Sequence, residues 1–195
     1  MSNSRSVSSA DREPFRVSLE SLVGVCYPAN QGKLASFSRV DADAVPGPYR
    51  RLLNHSSHMT VTVEDYYQDT VDVRVLRSET NGGYYCREIL LTTHRSPQVV
   101  QYGIVRLNLE VVPDQARSEI LMERKPLGRV LIEHDILREV ALFDLFSVVC
   151  GEALASFFGV ARGAMTYGRT ALIYCNNEPA IELLEIVAPV KGPIH

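Results

Sequence analysis

Three neighbouring segments with strand character, joined by short turns, restrict the fold of this 195-residue chain more than any other feature. In residues 69–77, valines alternate with Asp and Arg, the pattern of a half-buried strand. Residues 84–93 and 98–112 continue the series, and the turns fall at Asn81-Gly82-Gly83 and at residues 94–97. Strands joined by turns this short pair antiparallel, so this part of the chain is predicted to form a meander.

The remaining pattern adds helices and a final hairpin. Helices are predicted for residues 15–23, 49–55, 114–124, 129–133 and 137–158. The last of these is expected to pack its apolar surface against the sheet or against a partner chain. Two closing strands are predicted at 170–175 and 180–187, and residues 25–47 are expected to be loop-rich. This order predicts an α+β domain with a single antiparallel sheet, and it lacks both βαβ alternation and a Gly-rich phosphate loop.

Length and composition favour one domain over residues 15–195, preceded by a disordered tail at 1–14 that is rich in Ser and charge. The formal charge of −3 argues against nucleic acid and anionic membranes as partners. The apolar residues 140–160 include charged positions, which argues against a membrane span. The four cysteines form no CxxC pair, so we expect no metal site and a reducing, cytoplasmic location.

Two charged residues break the alternation of their strands. Arg87 has the same parity as Ile89, and Glu185 has the same parity as Leu183, so both charges are predicted to lie on apolar faces. A buried charge is costly unless it is paired or faces a polar pocket. Three interpretations stay open: strands buried on both sides, a structural Arg–Glu ion pair, or a functional pocket. The polar run 55–58 is interpreted as a loop, because no hydrolase triad accompanies it.

Five motifs occur in an order that resembles the chorismate pyruvate-lyase family. They are LLNHSSHMT from residue 52, YYCREILL from 84, KPLGRVL from 125, YGRTALIYCNNEP from 167 and LLEIVAP from 183. The resemblance covers about residues 52–189 and is closer to the short actinobacterial and archaeal branch than to the enterobacterial enzyme. It implies an antiparallel sheet of about six strands with surrounding helices that enclose the ligand.

The resemblance also implies an activity, the elimination of pyruvate from chorismate to give 4-hydroxybenzoate. Aromatisation drives this reaction, so no cofactor is expected. Arg87 would bind a carboxylate of the substrate. Glu185 would donate a proton to the departing group, accept a hydrogen bond from the ring hydroxyl or assist loss of the ring proton. The remaining predicted ligand-binding residues are Met59, Thr60, Tyr102, Arg106, Leu127, Gly128 and Arg169.

Within this set, each residue has an expected task. Met59 would pack against the ring, and the backbone amides of Leu127 and Gly128 would bind an anionic group. Tyr102 stands where the enterobacterial enzyme carries a second arginine, and Arg106 or Arg169 would supply the missing charge. A bulge is required to keep Glu185 facing inward.

The alternative function is a non-catalytic domain of the same fold that binds an aromatic carboxylate as an effector. Such domains occur attached to DNA-binding segments, as the resemblance implies. The sequence shows neither a helix-turn-helix pattern nor a basic patch. In both cases the expected partner is a small aromatic or pre-aromatic carboxylate.

Overall fold

One antiparallel sheet of seven strands organises the computed structural model, which describes residues 16–136 and 138–190. The strands are β1 (Ala35–Val40), β2 (Val71–Asn81), β3 (Tyr84–Thr93), β4 (Val99–Asn108), β5 (Arg138–Cys150), β6 (Met165–Cys175) and β7 (Glu178–Val187). Their spatial order is β1-β5-β6-β7-β4-β3-β2. Two meanders, β2-β3-β4 and β5-β6-β7, therefore meet where β4 pairs with β7. The predicted α+β class and single antiparallel sheet are confirmed.

Helices cover both faces of this sheet. They are α1 (Leu19–Cys26), α2 (Gly47–Leu53), α3 (Met59–Tyr67), α4 (Asp114–Leu121), α5 (Leu127–Glu133) and α6 (Glu152–Phe158). Buried residues of α1 and α6 share one apolar cluster with Ile104 and Ile186, on what we call the α1/α6 face. Buried residues of α4 and α5 pack with Val105 and Leu183, and those of α2 and α3 pack with Ile89, on the α3/α5 face.

The predicted long helix at 137–158 is wrong. Within the described residues, Arg138–Cys150 is the strand β5, and only Glu152–Phe158 is helical. β5 lies between β1 and β6 and is rich in Val and Phe, so its apolar run without strict alternation is that of an interior strand. Gly151 lies between the two elements. Only glycine fits at this position, because a Cβ there would lie 2.5 Å from the carbonyl oxygen of Lys33.

Other segments differ less from expectation. The region 25–47 contains the edge strand β1, which the prediction missed, and α3 was also missed. Helix α1 runs through Gly24 instead of ending there, and β4 ends at Asn108. The predicted tail at 1–14 lies outside the described residues. In the part of the chain that is described, every helix is too short or too polar to cross a membrane.

The bulge required to keep Glu185 inward is present. Tyr174 pairs with Pro179 and Ile173 pairs with Ile181, so Ala180 is the extra residue on β7. From Ile181 onward the odd-numbered residues of β7 face α3 and α5. Glu185 consequently lies on the α3/α5 face, directly opposite Gly103 of β4 and Arg169 of β6.

Candidate functional site

A small cavity lies between the α3/α5 face of the sheet and the first residues of α3 and α5. Gly103 lies at its floor, where a Cβ atom would be 3.2 Å from Cγ1 of Ile89. The volume open to the centre of a water molecule is about 40 Å³. This is room for on the order of three waters, so an aromatic ring fits only if the cover moves.

A buried ion pair forms the charged wall of the cavity. Nε of Arg169 donates to Oε2 of Glu185 at 2.7 Å, and the two side chains are only 1% and 9% exposed. Arg169 also donates through Nη1 to the carbonyl oxygens of Leu53 and His55, at 3.1 and 2.8 Å. The guanidinium is thus fully engaged in holding the end of α2 and the following loop against the sheet. A structural Arg–Glu pair was one predicted alternative, and the arginine in it is Arg169.

Arg87 lies on the same face of the sheet but outside the cavity wall. It pairs with Val105, one register step along β3 from Ile89. The residue is 1% exposed, and Nε, Nη1 and Nη2 are buried without a hydrogen-bond partner among the described residues. Burial lowers the pKa of Arg87, and Tyr85 and Glu123 act in the opposite direction. The protein therefore holds a desolvated cation beside the cavity, with Tyr85 and Glu123 near it but in no hydrogen-bond geometry with its nitrogens.

The structure does not bring Tyr102 and Arg106 to this site. Both lie on the α1/α6 face, where Tyr102 stacks on Phe157 of α6. The hydroxyl of Tyr102 donates to Oε1 of Glu88 at 2.7 Å, and Arg106 donates to both carboxylate oxygens of Glu182 at 2.8 and 2.6 Å. Nη1 of Arg106 also donates to Oγ of Ser21 in α1. Neither residue can replace a second arginine in the cavity.

The cover of the cavity is formed by the predicted residues Met59 and Thr60 of α3 and Leu127 and Gly128 of α5. The two helices touch closely, since a Cβ on Gly128 would lie 3.1 Å from Oγ1 of Thr60. Ordinary side chains would separate the helices, so glycine permits this contact. The predicted anion-binding role of the Leu127 and Gly128 amides stays a prediction.

An ion pair closes the same cover further along both helices. Nη2 of Arg129 in α5 lies 2.6 Å from both carboxylate oxygens of Glu64 in α3. Glu64 also accepts from the amide of Val71 at 3.1 Å, which fixes α3 to the start of β2. The cover is therefore tied to the edge of the sheet as well as to itself.

A surface groove beside the cover shares Ser57, His58 and Val140 with the cavity. At this boundary Nε of Arg138 donates to Nε2 of His58 at 2.6 Å, so that ring nitrogen must be unprotonated. Burial lowers the pKa of His58 to about 4, and the charges of Arg138 and Arg169 add to the effect. His58 and Arg138 thus lie at the boundary between groove and cavity.

Gln101 lines the cavity and was not predicted from the sequence. It is 2% exposed, and its Oε1 atom has no hydrogen-bond partner in the described part of the chain. The available signal was its polar side chain within the apolar strand VVQYGIV. The face of the sheet on which Gln101 lies depends on the register of β4, which the sequence alone does not fix.

The fold defines the class of the protein: an α+β domain of the chorismate-lyase-like type, with helices on both faces of one antiparallel sheet. Among solved structures, the chain is similar to PhnF from Mycobacterium smegmatis, with 11% identity and a TM-score of 0.53 over 68% of this chain and 64% of that one. It is also similar to the effector domain of PhnF from the same organism, with 10% identity and a TM-score of 0.51 over 68% of this chain and 88% of that one.

At this level of identity the likeness establishes the fold alone. The chain spans 64% of the length of the full PhnF structure. No protein-family model matches the sequence, and no curated protein matches it.

Proposed function

We propose that this domain is a non-catalytic sensor that binds a small aromatic carboxylate over the α3/α5 face of the sheet. The observation that carries the proposal is the buried guanidinium of Arg87, whose three nitrogens have no hydrogen-bond partner among the described residues. Burying a charge without a partner is unfavourable, and such a site is stabilised by any anion that reaches it. A carboxylate matches a guanidinium in shape and accepts two parallel hydrogen bonds from it.

Binding requires the cavity to grow toward Arg87. The present volume of about 40 Å³ admits a few waters only. Arg87 lies one register step beyond Ile89, a distance of roughly 7 Å along the strand, which one substituted ring can bridge. The movable part is the cover of α3 and α5, since the floor belongs to interior strands. Ligand binding would then change the position of helices, which is the output a sensor needs.

Sensing is favoured over the lyase reaction by the state of Glu185. Elimination needs a group that gives or takes a proton at the substrate. Oε2 of Glu185 accepts a hydrogen bond from Nε of Arg169 at 2.7 Å, so this carboxylate oxygen already has a partner within the protein. Arg169 in turn is held by two backbone carbonyl groups. The pair is built as a fixed wall, suited to accepting a hydrogen bond from a ligand hydroxyl.

The effector domain of PhnF shares this fold, and we extend the role of an effector domain to the present chain as part of the proposal. The expectation that nucleic acid is not a partner rests on the charge of −3 of this chain alone and stays a prediction.

Calorimetric titration with 4-hydroxybenzoate and with chorismate tests the proposal, with released pyruvate measured in parallel. We expect binding of the benzoate, no pyruvate from chorismate, and a loss of about 1.5–3 kcal/mol of binding free energy in Arg87→Met. Arg74→Met removes an exposed strand arginine and serves as the charge-matched control. Pyruvate release that depends on Glu185 would establish the lyase function instead. Equal affinity of wild type and Arg87→Met would refute the assigned anion site.

A further inference from the structure

Gln101 is the one polar group of the cavity floor that the Arg169–Glu185 pair leaves unexplained. Its side chain is almost fully buried, and Oε1 has no donor within reach among the described residues. Buried side-chain oxygens in folded proteins nearly always have a partner, so each exception calls for a cause. The neighbours on either side are Leu91 of β3 and Val187 of β7, which have no side-chain donor to offer.

The position of Gln101 relates it to both charged groups of the site. It lies two residues from Gly103 on β4, hence on the same face as Glu185, which is opposite Gly103. Arg87 is opposite Val105, four residues along the same strand and roughly 14 Å away along the sheet. Two long side chains and one six-membered ring can fill that span. The unpaired guanidinium of Arg87 thus lies beyond one end of the cavity. The unpaired oxygen of Gln101 lies at the other end, near the carboxylate of Glu185.

We infer that Gln101 is the specificity-determining residue of the cavity and selects ligands that carry a hydrogen-bond donor opposite their carboxylate. The ligand class is then a hydroxy- or amino-substituted aromatic acid, with its donor shared between Gln101 and Glu185. A ring without such a donor leaves Oε1 of Gln101 buried and unsatisfied, which is the situation that polar sites discriminate against most strongly. This inference rests on the proposed sensing function and deepens it.

A matched ligand pair tests the inference on the wild-type protein. The probes are 4-hydroxybenzoate and 4-fluorobenzoate, which share the ring and the carboxylate and differ in the donor. We expect wild type to prefer the hydroxyl compound by roughly 5- to 140-fold, equivalent to about 1–3 kcal/mol at about 1.4 kcal/mol per decade. Gln101→Leu removes the acceptor at similar volume, so the preference should largely disappear while 4-fluorobenzoate binds at least as well as before. An unchanged preference in Gln101→Leu overturns the inference.

The remaining outcomes separate this inference from the function on which it rests. If wild type binds both probes equally and Arg87→Met binds neither, the sensing function stands and the role of Gln101 fails. If wild type binds neither probe, the proposed function itself fails. The melting temperature of the unliganded protein then still tests whether Oε1 of Gln101 is unsatisfied. Removal of an unsatisfied acceptor should raise the melting temperature of Gln101→Leu above that of wild type. Gln101→Met is a second apolar variant and should show the same rise. Melting temperatures below that of wild type in both variants overturn the inference.

Discussion

Replacing Arg87 by methionine should stabilise the unliganded protein while it weakens ligand binding. Most substitutions of a side chain that is 1% exposed are destabilising, because they leave a cavity or a clash. Arg87 is different, since its guanidinium is desolvated and none of its nitrogens has a partner among the described residues. Methionine fills much of the same volume with an unbranched and adaptable chain, and it brings no charge into the core.

The expected gain in stability equals the free energy that burying the unpaired guanidinium costs the folded state. Exchange of buried ionic groups for apolar ones of similar volume is neutral or stabilising by about 1–4 kcal/mol. For a domain of this length, about 1 kcal/mol shifts the melting temperature by roughly 2–4 °C. We therefore expect Arg87→Met to melt roughly 2–16 °C above wild type.

Arg169→Met is the matched control, because Arg169 is equally buried on the same face but fully paired. Removing it leaves Glu185 as an uncompensated buried charge, a change that costs about 3–5 kcal/mol. The two variants should therefore move the melting temperature in opposite directions. Thermal unfolding followed by far-UV circular dichroism measures both. A drop of several degrees in Arg87→Met would show that the guanidinium is satisfied in the free protein, and it would refute the argument for an anion site.

Three further results are expected. The pKa of His58 is lowered to about 4 in the folded protein from an ordinary 6.5, so stability should fall as pH drops from about 6.5 toward 4. The melting temperature of His58→Asn, measured as a function of pH, should not show this fall in stability. If His58→Asn and wild type lose stability in the same way with pH, the assignment to His58 is wrong. The pair His58→Cys and Gly128→Cys places two Cβ atoms about 3.4 Å apart, near disulfide spacing. The oxidised form should bind 4-hydroxybenzoate more weakly than the reduced form of the same variant, whereas equal affinity of the two forms would show that the cover does not open there. In Gly103→Ala the new methyl group enters the cavity floor against Ile89 and should weaken 4-hydroxybenzoate binding at least tenfold in titrations. Full affinity would place the ligand elsewhere.

Parity within single strands correctly predicted the faces on which Arg87 and Glu185 lie. The alternation of β3 and β7 placed Arg87 and Glu185 on apolar faces, and the structure places both on the α3/α5 face. Period-2 alternation is local, so the sequence contains it directly. The partner of Glu185 was not predictable in the same way, because Arg169 reaches it through the register of β6 against β7. That register depends on the bulge at Ala180.

The placement of Tyr102 failed for a reason of the same kind. Thr92 pairs with Val99, and a regular hairpin continued from that pair would set Tyr102 opposite Ile89. The register shifts at this point, and Val100 becomes the extra residue on β4. Gly103 therefore lies opposite Ile89, and Tyr102 turns to the other face. One extra residue exchanges the two faces of a strand, and turn sequences do not reveal it.

The meeting of the two meanders at β4 and β7 has a consequence for folding. The cavity draws Gln101 and Gly103 from one meander and Arg169 and Glu185 from the other, so neither half of the chain contains the site. Partners at this seam are about eighty residues apart in sequence, and contacts of such separation form late. A ligand held across the seam binds only the completed fold, so it would slow the opening of both halves together. Native-state hydrogen exchange would then show β3 and β6 gaining the same protection, although the two strands are not paired in the sheet.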